Sequence, residues 1–278
     1  MKIIFFVLFF AVSLSLSAQE LIVVGGAGIS KTDTIAKGNY GFAQARLMIP
    51  VSDWLRIGPY VGYTQYSNTG LTVTPNPFLL GKELSYGLSL DSYGHLSYAY
   101  TYYVWLNSGL KNVNDKYQDK DFTSITSTKE IFVSGGLFVT DEWLGLFGNN
   151  RLMWEYQKPL SATVEAKWKG QDVLGVQPYN KESLRLFLES GIKRFGGGAV
   201  NLEPLIHVGY GRDFGRSQNY YEIGGGIDAG IFKDYYRDIL KIKAFYRKDF
   251  GSNAKGGVCG ELVFNASSLI QAFKKNKQ

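Results

Sequence analysis

Apolar and polar residues alternate along most of the chain, in segments of about ten to fourteen residues separated by turn-rich stretches. A period of two indicates β-strands, because successive side chains of a strand point to opposite faces. Most segments are longer than the usual five or six residues of soluble strands and reach the roughly 9–11 residues of a transmembrane strand. The pattern predicts twelve strands, at 21–30, 40–49, 54–66, 78–89, 95–107, 129–140, 151–168, 181–194, 199–212, 220–232, 239–250 and 258–265.

The predicted connections alternate in length along the chain. Membrane barrels have short turns at one rim, longer loops at the other and an even number of strands. Long polar connections are predicted at 31–39, 67–77, 108–128 and 169–180, and short ones at 50–53, 90–94 and 195–198. The connection 141–150 breaks this rule, because it has ten residues on the short side. The longest predicted external loop, 108–128, is the candidate binding loop, since loops on a rigid scaffold often carry binding.

Each predicted strand has one apolar and one polar face. In the strand at 181–194, for example, Leu184, Leu186 and Leu188 alternate with Arg185 and Glu189. A soluble barrel or sandwich would bury the apolar face, whereas a membrane barrel turns it toward lipid and turns its charges toward the lumen. Strand length, loop asymmetry, aromatic content and the export signal described next favour the membrane form. The fold class predicted is an all-β, transmembrane, antiparallel up-and-down barrel of about twelve strands.

The first eighteen residues have the features of a secretory signal. A basic Met1-Lys2 precedes the apolar stretch 3–12 and the small-residue stretch 13–18, which predicts Sec-type export and cleavage near Ala18. The apolar stretch is shorter than the roughly 20 residues of a transmembrane helix. No cysteine lies at the cleavage point, which disfavours a lipid anchor. The predicted organisation is therefore a signal at 1–18, a barrel at 19–266 and a short periplasmic tail or helix at 267–278.

Composition excludes several other classes of protein. The 278 residues are 45% hydrophobic, 15% aromatic and 19% charged, with 33 glycines and a mean hydropathy of −0.10, which is too polar for a helical membrane protein. The net charge of +6 is small and dispersed, so no nucleic-acid partner is predicted. Two His and one Cys offer few ligands for a transition metal, so neither a metal nor a cofactor is predicted. The single cysteine, Cys259, is interpreted as a packing residue.

These features resemble a bacterial outer-membrane β-barrel protein, porin-like and of the Bacteroidota type. The resemblance rests on the signal ending in Ser17-Ala18-Gln19, the aromatic-rich alternating strands and the turn pattern, and it covers about 21–265. It is architectural and involves no diagnostic motif. It implies the outer membrane of a Gram-negative bacterium, contact with outer-membrane lipid and lipopolysaccharide, insertion by the barrel-assembly machinery and a candidate periplasmic partner. The chain departs from the family by continuing beyond Phe264, the candidate closing aromatic residue.

The predicted inner face carries nine basic and nine acidic side chains. The basic ones are Arg46, Arg56, Arg151, Lys167, Arg185, Lys193, Lys241, Lys243 and Arg247. The acidic ones are Glu83, Glu155, Glu165, Glu189, Glu203, Glu222, Asp228, Asp249 and Glu261. The main lumen candidates are Arg56, Glu83, Arg185, Glu189, Glu203, His207, Glu222, Asp228, Lys241, Lys243 and Arg247. A selective pore concentrates one sign at its constriction, whereas balanced charges permit a paired interior, since unpaired buried charges are costly.

Three functions remain open on the sequence. A narrow channel for small solutes is favoured, because twelve strands lie between the filled eight-stranded barrels and the open sixteen-stranded porins. In that case Lys241, Lys243 and Arg247 form a basic ladder toward anionic solutes; the simpler interpretation is pairing with neighbouring carboxylates. The alternative is a structural or partner-binding barrel without transport.

The third and remote function is lipid hydrolysis by His95 and Ser97. Their His-x-Ser pattern is similar to that of outer-membrane phospholipases and lipid A deacylases, and it places a base beside a hydroxyl on one strand face. Those deacylases need a third group about twelve residues later; this position is Gly109 here, and Asn107 lies two residues short. The protein is therefore predicted not to be an enzyme and to have no catalytic residues.

Overall fold

The computed structural model describes residues 20–31, 39–68, 78–97, 100–141, 149–176, 182–192, 200–215, 217–231, 239–250 and 256–267. These residues form twelve barrel strands. The first six are β1 (Glu20–Lys31), β2 (Asn39–Pro50), β3 (Leu55–Asn68), β4 (Phe78–Ser97), β5 (Tyr100–Gln118) and β6 (Phe122–Asp141). The others are β7 (Asn149–Trp168), β8 (Ser183–Gly191), β9 (Val200–Asp213), β10 (Gln218–Ile231), β11 (Leu240–Asp249) and β12 (Gly256–Asn265). A two-residue strand, Gln171–Asp172, folds back on the end of β7.

The sheet closes on itself. Each strand pairs antiparallel with its sequence neighbours, and β12 pairs with β1 from Val24 opposite Asn265 to Lys31 opposite Val258. This order confirms the predicted up-and-down barrel of twelve strands. Glu20 and Asn265 lie at the same end, called the terminal rim below, and the opposite end is called the far rim. No helix within the described ranges is long and apolar enough to span a membrane.

A serine side chain bonds the backbone of β1 at the terminal rim, where β12 has ended. Strand β12 ends at Asn265, so the first residues of β1 have no strand partner on that side. The Ser267 hydroxyl donates to the Leu21 carbonyl at 2.8 Å and accepts from the Val23 amide at 2.7 Å. The side chain thus replaces the missing strand, because buried backbone groups need partners. The predicted signal at 1–18 and the tail from residue 268 onward lie outside the described residues.

The two faces of β8–β11 are inverted relative to a soluble protein. Charged and polar side chains are buried inside the barrel, and they are Glu189, Glu203, His207, Glu222, Asp228 and Lys243. The apolar side chains that alternate with them are 42–56% exposed, and they are Leu188, Ile206, Val208, Ile223, Ile227 and Ile242. Soluble proteins almost never bury this many charges beneath an exposed apolar surface. The arrangement is that of a membrane barrel, whose apolar face contacts lipid.

Strands β4–β6 extend well beyond the prediction. The segments 90–94 and 108–128, expected to be a short turn and the longest external loop, are almost entirely strand, because β4 continues to Ser97 and β5 to Gln118. The β5–β6 connection is a tight turn in which the Asp119 amide donates to the Phe122 carbonyl at 2.7 Å. The loop prediction was wrong because both faces of this hairpin are largely polar. The two faces of the hairpin therefore differ little in hydrophobicity, although the period of two continues.

A bulge in β7 exchanges the inner and outer faces in the half of this strand that lies toward the far rim. Glu130 lies opposite Pro159 and Lys129 lies opposite Ser161, so Leu160 is an extra residue. Beyond a bulge the side chains exchange faces relative to an unbroken strand. Glu165 and Lys167, predicted to face the lumen, therefore share the outer face. The expected connection 141–150 falls mostly outside the described residues, as do 195–198 and Lys193.

Candidate functional site

The lumen contains a buried ion-pair network built on β8–β11. We call Glu189, His207, Glu222, Lys241 and Lys243 the lumen network; their exposed fractions are at most 5%, except for Lys241, which is half-buried. Each belongs to the inward-facing set of its strand. Gly224 and Gly226 of β10 lie opposite Phe245 and Lys243 of β11. Because these glycines lack side chains, groups on β8 and β11 meet across the two intervening strands.

Glu189 is the centre of the network. Its Oε2 accepts a hydrogen bond from Lys241 Nζ at 2.6 Å, and its Oε1 accepts one from Lys243 Nζ at 2.9 Å. Lys243 Nζ also lies 3.1 Å from Glu261 Oε2 on β12. Lys241 and Lys243 of the basic ladder are thus paired with Glu189 and with Glu261, which was one of the neighbouring carboxylates expected as partners. Glu222 and Asp228, the other two expected partners, pair with Arg185 and Arg151. Two lysines on one buried carboxylate leave that carboxylate fully compensated.

His207 lies between two carboxylates. Its Nε2 is 3.1 Å from Glu222 Oε2, and its Nδ1 is 3.4 Å from Glu189 Oε1. The imidazole packs against the Phe245 ring, with centroids 4.7 Å apart. Glu222 Oε2 also accepts hydrogen bonds from Arg185 Nη2 at 2.8 Å and Nε at 3.1 Å. This charge-assisted pair joins β8 to β10 and continues the network toward the far rim.

The remaining predicted residues on β9–β11 also lie inside the barrel. Arg151 of β7 hydrogen-bonds Asp228, and its Nη1 lies 4.0 Å from Glu189 Oε2. Glu203 is buried against Gly191, where an added Cβ would lie 1.6 Å from the Glu203 carboxylate. The Arg247 guanidinium lies 3.4 Å from the centroid of the Tyr220 ring, a cation–π arrangement.

Arg56 belongs to a separate cluster near the terminal rim. Its guanidinium makes two hydrogen bonds to Asp91, of 2.7 and 3.0 Å, and a further one to Glu20. The Tyr103 hydroxyl donates to Asp91 Oδ2 at 3.1 Å. Asp91 is fully buried. Asp91 was not among the residues predicted to face the lumen, because it lay in the predicted turn 90–94.

Glu83 belongs to a third cluster, on β4–β7. Lys111 Nζ lies 3.8 Å from both Glu83 Oε2 and Glu130 Oε2, and it donates to Gln157 Oε1 at 2.7 Å. Lys111 was missed because the segment 108–128 was interpreted as a loop, and Glu130 was missed although it lies in the predicted strand 129–140. The signal that would have found them is the unbroken period of two, which places both on the same face as Glu83.

A cavity of about 230 Å³ remains between these clusters, near the terminal rim. Its lining comes from β1, β5, β6, β7, β11 and β12, which lie on opposite walls, so it is part of the lumen. The side chains that define it are Val24, Tyr103, Trp105, Phe138, Arg151 and Lys241. Two are cationic and three are aromatic. No carboxylate lines the cavity among the described residues.

His95 and Ser97 lie at the end of β4, and their assignment to the fifth strand was wrong. His95 is exposed, and the β4–β5 register shifts between His95 and Ser97. Asn107 is buried and accepts a hydrogen bond from Ser89 at 2.7 Å. It lies six residues along β5 from Thr101, the partner of His95, which is roughly 20 Å. The structure therefore does not bring Asn107 near His95.

Comparisons with known proteins identify the fold. No protein-family model matches the sequence, and no curated protein matches it. Among solved structures, the β domain of the Bordetella autotransporter BrkA is 14% identical, with a TM-score of 0.52 over 90% of this chain and 100% of that one. The translocator domain of NalP from Neisseria meningitidis is 8% identical, with a TM-score of 0.49 over 93% and 92%. The transport unit of AIDA-I from Escherichia coli is 13% identical, with a TM-score of 0.47 over 90% and 90%.

Identities this low establish the architecture and nothing finer. The BrkA domain aligns over its whole length, and the closed antiparallel order and inverted faces of this chain agree with such a barrel. The chain is an all-β protein with the twelve-stranded fold of bacterial outer-membrane β-barrels.

Proposed function

We propose that this protein resides in the outer membrane of a Gram-negative bacterium and provides a narrow passage for small solutes. The supporting observation is the cavity of about 230 Å³ that lies between opposite walls of the lumen. A barrel filled completely by side chains would have no such space. The proposal includes no catalytic step.

The lumen network makes this passage narrow. It occupies the side of the lumen next to β8–β11, where a 2.6 Å hydrogen bond joins Lys241 on β11 to Glu189 on β8. Toward the far rim, the inward-facing Glu155 is 55% exposed, so water reaches that part of the lumen. A charged wall beside a small cavity favours small polar or charged solutes over large ones.

The orientation follows from the same proposal. Both described ends of the barrel lie at the terminal rim, which we assign to the periplasm, as in barrels with an even number of strands. The exposed apolar side chains of β8–β11 then contact outer-membrane lipid, with lipopolysaccharide around the far rim. Insertion by the barrel-assembly machinery and a periplasmic partner at the tail are part of this proposal.

Ion conductance in planar bilayers tests the passage. Val24 lines the cavity, whereas its neighbour Val23 lies on the opposite face of β1. We expect the purified protein to conduct in discrete steps. Val24→Trp should lower the step size roughly twofold or more, because an indole would fill much of the cavity. Val23→Trp, which places the same ring on the outer face, should leave it unchanged.

A folded but permanently silent barrel would contradict the passage and favour the structural or partner-binding alternative. Folding is checked by heat-modifiable migration in detergent. Equal conductance of the Val24→Trp and Val23→Trp proteins would show that any current bypasses this cavity.

A further inference from the structure

We propose that the lumen cavity is a binding site for a small organic anion, namely a carboxylate attached to an aromatic or aliphatic body. This inference rests on the proposed passage, since the cavity is part of it, and it names the class of solute. The cavity has a cationic edge, an aromatic wall and a size that together fit such a molecule.

The edge of the cavity is cationic because its basic side chains are more exposed than their acidic partners. Lys241 and Arg151 line the cavity, and their side chains are 16% and 11% exposed. Their partners Glu189 and Asp228 are 1% and 4% exposed and are not among the described residues that line the cavity. A ligand in the cavity therefore meets the positive ends of these pairs first. At short range the nearer charge dominates, although the cluster as a whole is balanced.

Lys241 also has hydrogen-bonding capacity to spare. An ammonium group has three donors, and among the described residues Lys241 Nζ makes one hydrogen bond, to Glu189. A ligand carboxylate can accept another without displacing Glu189. Such charge-assisted bonds are about twice as strong as neutral ones.

The aromatic wall on β5 and β6 binds the body of the ligand. Tyr103, Trp105 and Phe138 supply aromatic surface, and the apolar Val24 faces them from the other wall. Arg151 lies 5.1 Å from the Phe138 ring centroid, and Arg46 lies 6.0 Å from the Trp105 ring centroid. Cations packed on these rings hold the aromatic wall beside the charged edge.

The size of the cavity limits the ligand. Its volume of about 230 Å³ is below the roughly 300–1,000 Å³ of pockets for drug-sized molecules. A monocarboxylate with one ring or a short chain fits, whereas an oligosaccharide or a peptide does not. Benzoate is a suitable probe, because benzamide and benzamidine have the same shape with neutral and positive head groups.

Titration calorimetry on the purified full-length protein in detergent tests the site. We expect benzoate to bind at least about tenfold more tightly than benzamide, and benzamidine to bind most weakly, because the cavity edge is cationic. Lys241→Met should remove this preference for benzoate. Lys248→Met, on the outer face of the same strand, is the matched control and should retain it. Trp105→Leu should weaken benzoate and benzamide equally.

Equal binding of benzoate and benzamide, or no benzoate binding, would overturn the inference without any variant, so a misfolded Lys241→Met protein does not prevent a decision. An unchanged benzoate preference in folded Lys241→Met would also overturn it. Calorimetry does not depend on conduction. A conducting barrel that fails to bind benzoate therefore contradicts this site alone, whereas a silent barrel that binds benzoate contradicts the passage alone.

Discussion

Buried charges are paired differently on two walls of this barrel, β8–β11 and β4–β7. On β8–β11, strands of 9–14 residues bring acids and bases together in a dense network with contacts of 2.6–3.1 Å around Glu189 and Glu222. On β4–β7, strands of 19–20 residues spread their charges, and Lys111 lies 3.8 Å from its two carboxylates. The two walls therefore differ in how closely their charges are paired rather than in the number of charges.

The side chains around the charges also differ between the two walls. On the network wall, Gly224 and Gly226 let β11 side chains approach those of β8 across β10. On the β4–β7 wall, Gly87 and Gly109 lie opposite each other, and the Phe132 ring lies 5.6 Å from that of Tyr60. Around Lys111, ring packing and an amide hydrogen bond to Gln157 accompany looser ion pairs. This comparison predicts that single substitutions affect the two walls unequally.

The largest expected effect is that of Glu189→Gln. The substitution leaves Lys241 and Lys243 without their shared carboxylate in a buried site, and breaking a buried pair in this way costs about 3–5 kcal/mol. Urea unfolding followed by tryptophan fluorescence measures the loss. Glu165→Gln, on the exposed outer face of β7, is the matched control and should change the free energy of unfolding by less than about 0.5 kcal/mol.

Glu130→Gln on the β4–β7 wall sharpens the comparison. Glu130 is as buried as Glu189, but its distance to Lys111 is 3.8 Å. We expect a loss of about 1–3 kcal/mol, which is smaller than for Glu189→Gln, because the ion pair with Lys111 is looser than those of Glu189. The same urea titration decides. A loss equal to or greater than that of Glu189→Gln would show that pairing density does not distinguish the walls.

Glycine substitutions should affect both walls alike. A Cβ at Gly211 would lie 2.0 Å from the Tyr220 ring, and one at Gly81 would lie 2.0 Å from the Tyr66 ring. Each Gly→Ala change should cost about 1–3 kcal/mol through overpacking. Gly25→Ala is the control, since its Cβ would meet its nearest neighbour at 3.5 Å. The temperature at which heat-modifiable migration in detergent is lost measures this cost. A stable Gly211→Ala protein together with an unstable Gly81→Ala protein would contradict the expected equal effect on the two walls.

The smallest expected effect on the barrel lies at the end of β7. Lys169 and Gly170 form a turn with φ of +48° and +84°. Gly170→Ala should strain this turn by about 1 kcal/mol or more. Because the turn lies beyond the barrel wall, we expect unchanged urea unfolding and faster tryptic cleavage at Lys169. Lys167→Gln, next to the turn, is the control, and a lowered barrel stability would contradict the local interpretation.

The sequence predicted the network wall well and the β4–β7 wall poorly. On β8–β11 most inward charged residues alternate with large apolar ones, so the inward position of Arg185, Glu189 and Glu222 follows from the period of two. Between 108 and 128 the residues on both faces are largely polar, and the strands were missed. The bulge at Leu160 exchanged the faces of Glu165 and Lys167, because one extra residue shifts the period by half.

The sequence by itself predicted an antiparallel barrel whose strands each have one apolar and one polar face, because alternation is a local property of each strand. Strand length, loop asymmetry, aromatic content and the export signal then indicated that the apolar face lies outside. The sequence did not determine which charges meet. Lys241 and Glu189 are 52 residues apart and lie on strands that are not neighbours. Their contact depends on barrel closure, register and the glycines between them. The cavity beside them has the same origin, since a volume enclosed by six strands exists only once all six are in place.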